Sequence, residues 1–152
     1  MSQKNRDVSI GSLKDFLVNE GIHPSYQRLR IYEYLEQNNS HPTVDIIYNS
    51  LLSEIPTLSK TTVYNTLNLF HEKGIVRGLT IDENEIRYDA NTRPHAHFKC
   101  VKCGRIFDIE IDSKFFANSF VCHHKVNERQ LYLKGICSDC MNEKPDPVQN
   151  DF

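Results

Sequence analysis

Four of the five cysteines in this sequence have the spacing of zinc ligands. They form two Cys-x-x-Cys pairs, Cys100 with Cys103 and Cys137 with Cys140. Thiolates paired in this way converge on one tetrahedral Zn²⁺ ion. Thirty-three residues separate the pairs. Doubling a loop costs only about 0.6 kcal/mol, which is small against the roughly 10 to 16 kcal/mol of structural zinc binding. We predict one structural four-cysteine zinc site; the alternative is four unligated thiols.

A second group of donors suits a harder ion. His95 and His97 flank a single residue, so their rings lie on the same side of an extended strand. Asp89 precedes His95 by six residues, and Asp108 lies on the strand predicted after Cys103. Imidazoles and carboxylates favour an exchangeable ion such as Fe²⁺ or Mn²⁺. The same donors also occur in non-haem iron oxygenases, but this chain has no large substrate domain and no cofactor loop, and we predict that it is not an enzyme.

The composition indicates a soluble globular protein. Hydrophobic residues make up 39% and charged residues 25% of the chain. No apolar run approaches the roughly 20 residues needed to span a bilayer, and no signal peptide precedes the cysteines. We expect a cytoplasmic protein without membrane contact, whose thiols stay reduced or bind metal. The fifth cysteine, Cys122, is expected to be a buried structural thiol, with a reactive sensor thiol as the alternative.

Apolar residues in the first half recur at helical spacing and predict four helices. Ser25, Thr43 and Ser59 are expected to be the N-caps of the second, third and fourth helices, and Gly74 to end the fourth. Two short apolar runs, joined by an acidic turn at 82–85, then predict a β-hairpin ending at Asp89. A helix-turn-helix followed by a hairpin is a winged helix.

The outer face of the fourth helix is the predicted DNA-reading surface. Asparagine can bind adenine edges, threonine and tyrosine can contact phosphate or the thymine methyl, and lysine neutralises phosphate. The alternative is a merely solvated face. Through Asp89, nine basic residues stand against twelve acidic residues, so nonspecific DNA affinity should be weak and contacts local. The candidate contacts are Lys60, Thr61, Tyr64, Asn65 and Asn68.

The second half predicts a small α/β domain. Strands are expected at 98–101, 106–111 and 130–136, and Ser113 is expected to cap a helix carrying Phe115, Phe116 and Phe120. A core of only about 45 residues is marginal, so a metal or dimerisation should supply the missing stability. The expected fold class is α+β: a winged helix-turn-helix domain at 1–90, a small α/β dimerisation domain with the zinc site at 91–141, and a disordered tail at 142–152.

Short motifs along the chain carry a family resemblance. They are His41-Pro42-Thr43, Thr62-Val63-Tyr64-Asn65, Arg87-Tyr88-Asp89, His95-x-His97-x-x-Cys100-x-x-Cys103-Gly104, Asp108 and Gly135-Ile136-Cys137-x-x-Cys140. On these motifs, residues 12–140 resemble the ferric uptake regulator (Fur) family, and within it the peroxide-sensing PerR-type repressors. With asparagine at position 65, the chain resembles the peroxide sensors, whereas iron sensors tend to carry arginine there.

The resemblance implies a homodimeric transcriptional regulator that binds double-stranded DNA. It implies that the four paired cysteines bind structural Zn²⁺. It further implies that Fe²⁺ or Mn²⁺ is bound by five residues: His41, Asp89, His95, His97 and Asp108. Aspartate at both carboxylate positions is similar to the peroxide sensors. The resemblance further implies that Fe²⁺ at such a site reacts with hydrogen peroxide, that His41 or His95 is then oxidised, and that ion and DNA are released. It implies that Mn²⁺ activates binding without that sensitivity.

One ion held by all five residues would join the DNA-reading half to the dimerisation domain. In a dimer, it would set the distance between two recognition helices, which must match half-sites spaced by turns of about 34 to 36 Å. The expected target is therefore a palindromic operator. Two alternatives remain open at this point: an iron- or manganese-responsive repressor without peroxide chemistry, and a zinc-ribbon interaction module without sensing.

Overall fold

A computed structural model describes residues 10–143, which form two compact units. The first unit ends at Thr92 and the second begins at Arg93. Within the described residues, no helix is both long enough and apolar enough to cross a membrane. Most of the tail that the sequence predicts to be disordered, residues 144–152, lies outside the described residues, although Asn142 still belongs to a helix.

The first unit contains four helices whose beginnings follow local hydrogen bonding. They are α1 (Ile10–Asn19), α2 (Tyr26–Gln37), α3 (Val44–Leu51) and α4 (Lys60–Glu72). Ser25, Thr43 and Ser59 accept hydrogen bonds from the amides of Arg28, Ile46 and Thr62, respectively. Each cap therefore satisfies one of the amides that the first turn of a helix leaves without a partner. The three predicted N-caps are confirmed.

Gly74 ends α4 in the left-handed conformation that favours glycine, at φ +73°. The amide of Gly74 donates to the carbonyl of His71, and the amide of Ile75 donates to the carbonyl of Phe70, both at 3.0 Å. These two bonds define a Schellman motif, with Lys73 as the C-cap and Gly74 one residue beyond it. The chain then turns directly into the predicted hairpin.

The hairpin pairs two three-residue strands, β1 (Arg77–Leu79) and β2 (Arg87–Asp89). They are antiparallel, with Arg77 opposite Asp89 and Leu79 opposite Arg87. The helices and Tyr88 of β2 share one core, in which Leu17, Ile31 and Phe70 are fully buried. A helix-turn-helix with an attached hairpin, the predicted winged helix, is thus present in the first unit.

The second unit is built on a three-stranded sheet. Its strands are β3 (Ala96–Cys100), β4 (Ile106–Ile109) and β7 (Tyr132–Gly135), in the order β4-β3-β7. The central strand β3 pairs antiparallel with β4 and parallel with β7. A short helix, α5 (Ser138–Asn142), follows β7. The three strands agree with those predicted from the sequence, whereas α5 was not predicted.

The segment between β4 and β7 differs from the prediction. A single 3-10 turn, Ser113–Phe116, replaces the expected helix, and Asp112 rather than Ser113 caps it by accepting from the amide of Lys114. Phe120 belongs instead to a two-stranded hairpin of β5 (Phe120–Val121) and β6 (His124–Lys125). The predicted helix and its Ser113 cap are therefore wrong. Phe115 and Phe120 are 67% and 62% exposed. Among the described residues, no apolar core covers these two rings and stabilises a helix.

The prediction for Cys122 is also wrong. Its thiol is exposed, because Cys122 and His123 form the two-residue turn of the β5–β6 hairpin. Both residues have positive φ, +48° and +68°, as the tight two-residue turn requires.

Candidate metal centres

The four paired cysteines lie at two turns of the second unit. Cys100 ends β3, and Cys103 lies in the turn before β4. Gly104 follows at φ +74°, and its amide donates to the carbonyl of Cys100 at 2.9 Å. Cys137 is the N-cap of α5, and Cys140 lies within that helix. Each Cys-x-x-Cys pair thus occupies a tight turn that aims both sulfur atoms the same way.

The geometry of the cluster fits tetrahedral zinc. All four Sγ atoms lie within 4.8 Å of one another, and those of Cys103 and Cys137 are 3.8 Å apart. Zinc–sulfur bonds of about 2.3 Å at tetrahedral angles place sulfur atoms about 3.8 Å apart. Cys100, Cys137 and Cys140 are buried, whereas Cys103 is exposed. The structure therefore brings together the four predicted zinc ligands in one unit.

The surroundings of the sulfur atoms favour the thiolate at Cys100 and Cys103 but not at Cys140. The amides of Cys103 and Cys137 donate to the Sγ of Cys100 at 3.5 and 3.3 Å, and these bonds lower its pKa to about 6. The side chain of Arg105 lowers the pKa of Cys103. Burial, followed by the neighbouring thiols, raises the pKa of Cys140 to about 12. Without a cation the cluster would keep protons, and a bound zinc ion would displace them.

Three of the predicted regulatory donors also meet in the second unit. His97 lies directly opposite Asp108 across β3 and β4, and His95 precedes β3 by one residue. The Nε2 atoms of His95 and His97 are 2.9 Å apart, and they lie 3.3 and 3.5 Å from Asp108 Oδ1. Donors that share one ion at about 2.1 Å lie about 3.0 to 3.4 Å apart. This triad therefore has the spacing of three ligands on one ion.

A backbone contact sets the tautomer of His95. Its Nδ1 lies 2.7 Å from the carbonyl oxygen of Arg93. Because a carbonyl only accepts, Nδ1 carries the proton, and a neutral ring then presents the Nε2 lone pair to the triad. Metal-binding histidines are commonly oriented by such an outer bond. His95 and His97 are 7% and 3% exposed, so the triad offers its lone pairs in a largely dry setting.

The other two predicted donors form a pair in the first unit. His41 Nε2 lies 3.6 Å from Asp89 Oδ2, and both residues are buried. Asp89 ends β2, and its other oxygen accepts from the amide of Asn91 at 2.8 Å. The loop that carries His41 is attached to the same strand, since the amide of Tyr88 donates to the carbonyl of Pro42 at 3.0 Å. A shared strand thus fixes the two donors relative to each other.

The predicted DNA-reading face of α4 presents polar groups to solvent. Lys60, Thr61, Tyr64 and Asn65 are exposed, whereas Asn68 is half-buried. Lys60 pairs with Asp45 at 3.0 Å, and its ammonium lies 5.7 Å from the centre of the Tyr48 ring. The inner face of the same helix carries Val63, Leu67 and Phe70, each fully buried. The predicted recognition face therefore lies opposite a buried apolar face of the same helix.

Comparison with known proteins agrees with this architecture. The model of the ferric uptake regulator family matches residues 19–134. The chain belongs to the ferric uptake regulator family. It is 36% identical over 140 residues to the peroxide-responsive repressor PerR of Staphylococcus epidermidis, covering 90% of this chain and 91% of that protein. Members of this family are transcriptional regulators, so the predicted absence of enzymatic activity is confirmed.

Two solved structures of this family are similar to the chain. The Helicobacter pylori ferric uptake regulator, described as having three functional metal-binding sites, has a TM-score of 0.67 at 18% identity and covers 90% of this chain and 96% of its own. That identity supports the fold alone. The Campylobacter jejuni peroxide stress regulator has a TM-score of 0.60 at 26% identity and covers 86% of this chain and 98% of its own.

Several residues of this family member support the two groups of donors and were missed by sequence reasoning. Arg105 contacts the sulfur atoms of Cys103 and Cys137 at 3.4 and 3.8 Å. Arg87 donates to the carbonyl of His41 at 3.3 Å. The contact of Arg93 with His95 is made by a backbone carbonyl, so the residue type at position 93 does not indicate it. An arginine two residues after a zinc cysteine is the one signal that the sequence offered.

Proposed function

We propose that this protein is a metal-dependent, DNA-binding repressor that responds to hydrogen peroxide through oxidation of a regulatory histidine. The observation that carries the proposal is the His95, His97 and Asp108 triad, whose nitrogen and oxygen atoms lie 2.9 to 3.5 Å apart. The His41–Asp89 pair supplies two further donors of the same kind. Similarity to a peroxide-responsive repressor over 90% of the chain supports the same function.

The donor types assign different ions to the two groups. Four thiolates select Zn²⁺, which is redox-inert and suits a structural role. Three imidazoles and two carboxylates suit Fe²⁺ or Mn²⁺, and five protein donors leave an octahedral ion one open position. Fe²⁺ bound by them would reduce hydrogen peroxide and supply the oxidant that adds one oxygen atom to His41 or His95. Mn²⁺ would support DNA binding without this reaction.

The proposal assigns one regulatory ion to donors from both units, as the family resemblance implies. Such an ion would favour one arrangement of the DNA-reading unit relative to the other unit and so couple metal binding to DNA binding. Allosteric coupling of about 1 to 3 kcal/mol changes affinity about 5- to 150-fold. Oxidation of a ligand would remove that coupling and release the operator.

The first unit supplies the proposed DNA contacts. The exposed side chains of Thr61, Tyr64 and Asn65 face solvent in consecutive turns of α4, where they could reach base edges and phosphates. Lys60 would exchange its exposed ion pair with Asp45 for a phosphate, and such exposed pairs are worth only about 0 to 1 kcal/mol. Because this half of the chain has more acidic than basic residues, we expect affinity to depend on the operator sequence more than on overall charge.

The second unit supports a homodimer on a palindromic operator. In the single chain it exposes several large apolar side chains. They include Phe115, Phe120, Val121, Leu133 and Ile136. Within the described residues, β7 is an edge strand of its sheet, so its outer backbone groups are available for pairing. A cytoplasmic homodimer, the form that the resemblance implies, would cover this surface and present two recognition helices to two half-sites.

The decisive variant is His41→Ala. We expect it to keep zinc and the dimer but to lose metal-dependent operator binding, because His41 is the proposed regulatory ligand in the DNA-reading unit. Gel-shift titration with Mn²⁺ on a palindromic site measures this, and His23→Ala, at an exposed position outside both donor groups, is the matched control. Unchanged Mn²⁺-dependent binding by His41→Ala would contradict the proposed ligand set.

Peroxide sensing is tested separately on the unsubstituted protein. After loading with Fe²⁺ and treatment with low peroxide, we expect the peptides of His41 or His95 to gain one oxygen atom and DNA binding to be lost. The Mn²⁺-loaded protein should show neither change. DNA binding that responds to Fe²⁺ but stays intact under peroxide would instead establish an iron- or manganese-responsive repressor.

A further inference from the structure

The guanidinium of Arg105 lies against the only exposed sulfur of the four-cysteine cluster. Its Nε donates to the Sγ of Cys103 at 3.4 Å, and its Nη2 lies 3.8 Å from the Sγ of Cys137. The same Nη2 donates to Asp139 Oδ2 at 2.7 Å, and the guanidinium carbon lies 5.4 Å from the centre of the Phe107 ring. One side chain thus has two anchors on its own unit and two contacts with zinc-ligand sulfurs.

These anchors hold the guanidinium in one orientation. Asp139 lies in α5 between the two cysteines of the second pair, so the ion pair joins the side chain to the helix that carries Cys140. Its backbone is fixed as well, because the amide of Cys100 donates to the carbonyl of Arg105 at 2.9 Å. A planar guanidinium donates to several acceptors at once in a fixed geometry. A lysine ammonium acts as a compact point charge without that fixed geometry.

We propose that Arg105 protects the zinc-bound thiolates from oxidation and so sets how much peroxide the structural site survives. The proposal rests on the proposed zinc ion and does not depend on the regulatory ion or on peroxide sensing. Four thiolates around Zn²⁺ carry a net charge of −2. Because Asp139 balances the charge of Arg105, the guanidinium acts mainly through its hydrogen bonds to sulfur. The hydrogen bond from its Nε occupies a lone pair of the Cys103 sulfur that would otherwise attack an oxidant.

The protected reaction is the attack of a thiolate on hydrogen peroxide. A sulfur–oxygen bond forms at Cys103, the oxygen–oxygen bond breaks, and hydroxide leaves, giving a sulfenic acid. A second cysteine thiolate then attacks that sulfur, a disulfide forms, and a second hydroxide leaves. Two thiolates lose two electrons in total, one peroxide gains them, and zinc loses two ligands. Zinc release therefore reports the oxidation directly.

The direction of the effect follows from the state of the ligands. In the zinc-bound cluster all four cysteines are already thiolates, so Arg105 does not act by raising the ionised fraction. What remains is the nucleophilicity of the sulfur, which falls as hydrogen bonds and nearby positive charge stabilise its negative charge. Removing the guanidinium should therefore speed up oxidation.

The test compares Arg105→Gln with Lys102→Gln in the full-length, zinc-loaded protein. Lys102 belongs to the same turn and also forms an exposed ion pair, with Glu143 at 2.7 Å, but its side chain donates to no cysteine sulfur among the hydrogen bonds of the described residues. Zinc release under excess hydrogen peroxide is followed with a chromogenic zinc chelator. We expect Arg105→Gln to release zinc about threefold to tenfold faster, where tenfold corresponds to about 1.4 kcal/mol. Lys102→Gln removes a charge that interacts with Cys100 and Cys140 but no hydrogen bond to sulfur, so it should accelerate zinc release less than Arg105→Gln.

Further measurements keep the outcome decisive. Arg105→Lys, which keeps the charge but loses the planar fork, should be intermediate, and mass spectrometry should find the first oxidation at Cys103. Equal release rates for Arg105→Gln and the unsubstituted protein, each holding one zinc, would overturn the proposal. So would equally accelerated zinc loss without peroxide, because that result would show a loosened site. Absence of zinc from the unsubstituted protein would overturn the zinc assignment and this inference together.

Discussion

The two groups of metal donors differ in where their ligands come from. All four predicted zinc ligands lie within the second unit, at two turns that the local sequence makes tight. The five predicted regulatory donors are divided, with His41 and Asp89 in the first unit and His95, His97 and Asp108 in the second. A site confined to one unit stabilises that unit, whereas an ion shared between units would influence how they are arranged.

The surroundings of the donors differ in the same sense. Backbone amides donate to the sulfur of Cys100, and Arg105 donates to the sulfur of Cys103, which favours their charged form, the form that the proposed zinc ion requires. The contacts of the histidines include the Arg93 carbonyl on His95 and the Arg87 guanidinium on the carbonyl of His41. Contacts outside the ligand set are expected to tune metal affinity at both groups of donors.

The largest effect should come from removing a zinc ligand. Cys100→Ser deletes a fully buried sulfur that accepts two amide hydrogen bonds. Structural zinc contributes about 10 to 16 kcal/mol of apparent binding energy, comparable to the whole stability of a domain, about 5 to 15 kcal/mol. We expect zinc content to fall from one per chain to near zero, and the thermal transition of the second unit to disappear.

The first unit, which has its own apolar core, should keep a separate transition in that variant. Cys122→Ser is the control, since its exposed thiol lies outside the cluster and its loss should change stability by no more than about 0.5 kcal/mol. Elemental analysis and differential scanning calorimetry measure both quantities. A Cys100→Ser protein that retains zinc and its thermal transition would remove the structural half of the comparison.

A smaller effect is expected from His97→Asn, which should separate the two groups of donors. His97 is buried and faces Asp108 across the sheet, so its loss should weaken Mn²⁺ binding about a hundredfold or more. Zinc content should stay at one per chain. Equilibrium dialysis with Mn²⁺ gives the affinity, and His124→Ala on the exposed β6 strand is the control. Simultaneous loss of zinc would show that the two groups are not independent.

Local chemistry made much of this molecule predictable. Each helix cap depends on one side chain and an amide three residues later, so Ser25, Thr43 and Ser59 could be identified without knowledge of the fold. Gly74 was similarly visible, because the end of α4 needs a residue at positive φ. The four cysteines followed from spacing, since the preferred geometry of zinc imposes it.

The segment from Asp112 to Lys125 was unpredictable for a physical reason. Three phenylalanines suggested the buried face of a helix, but Phe115 and Phe120 are exposed in this chain. Hydrophobic periodicity predicts a buried helix face only when the surface that covers it belongs to the same chain. The spacing of apolar residues does not show that a partner chain covers them, as proposed here. The exposed thiol of Cys122 was missed because the hairpin that carries it was missed.

The regulatory donors were only partly readable. The His-x-His pattern gave two of them from spacing, but His41 came only from the family resemblance. Its position depends on a loop held by β2, far along the chain, and no local rule connects residue 41 to residues 87–89. Contacts of this kind depend on tertiary packing between distant parts of the chain. They cannot be predicted from a short segment of the sequence.

The smallest effect, and the sharpest test of how the first-unit donors are held, should come from Arg87→Met. His41 has φ +52°, a left-handed conformation that costs a residue with a side chain about 1 to 3 kcal/mol and persists only when its surroundings impose it. Arg87 donates to the carbonyl of His41, while Asp82 holds the guanidinium at 2.6 Å, so this contact should help to maintain the conformation. Methionine keeps the aliphatic stem and removes the donor.

We expect Mn²⁺ affinity to fall about threefold to tenfold in Arg87→Met, less than for a lost ligand, because a loosened loop still samples the binding conformation. Zinc content should not change. Arg77→Met is the matched control: it removes the same charge from the other strand of the hairpin, where the guanidinium contacts the carbonyl of Thr92 instead. If both variants bind Mn²⁺ like the unsubstituted protein, the strained loop holds His41 without Arg87, and the pair is as rigid as the cysteine cluster.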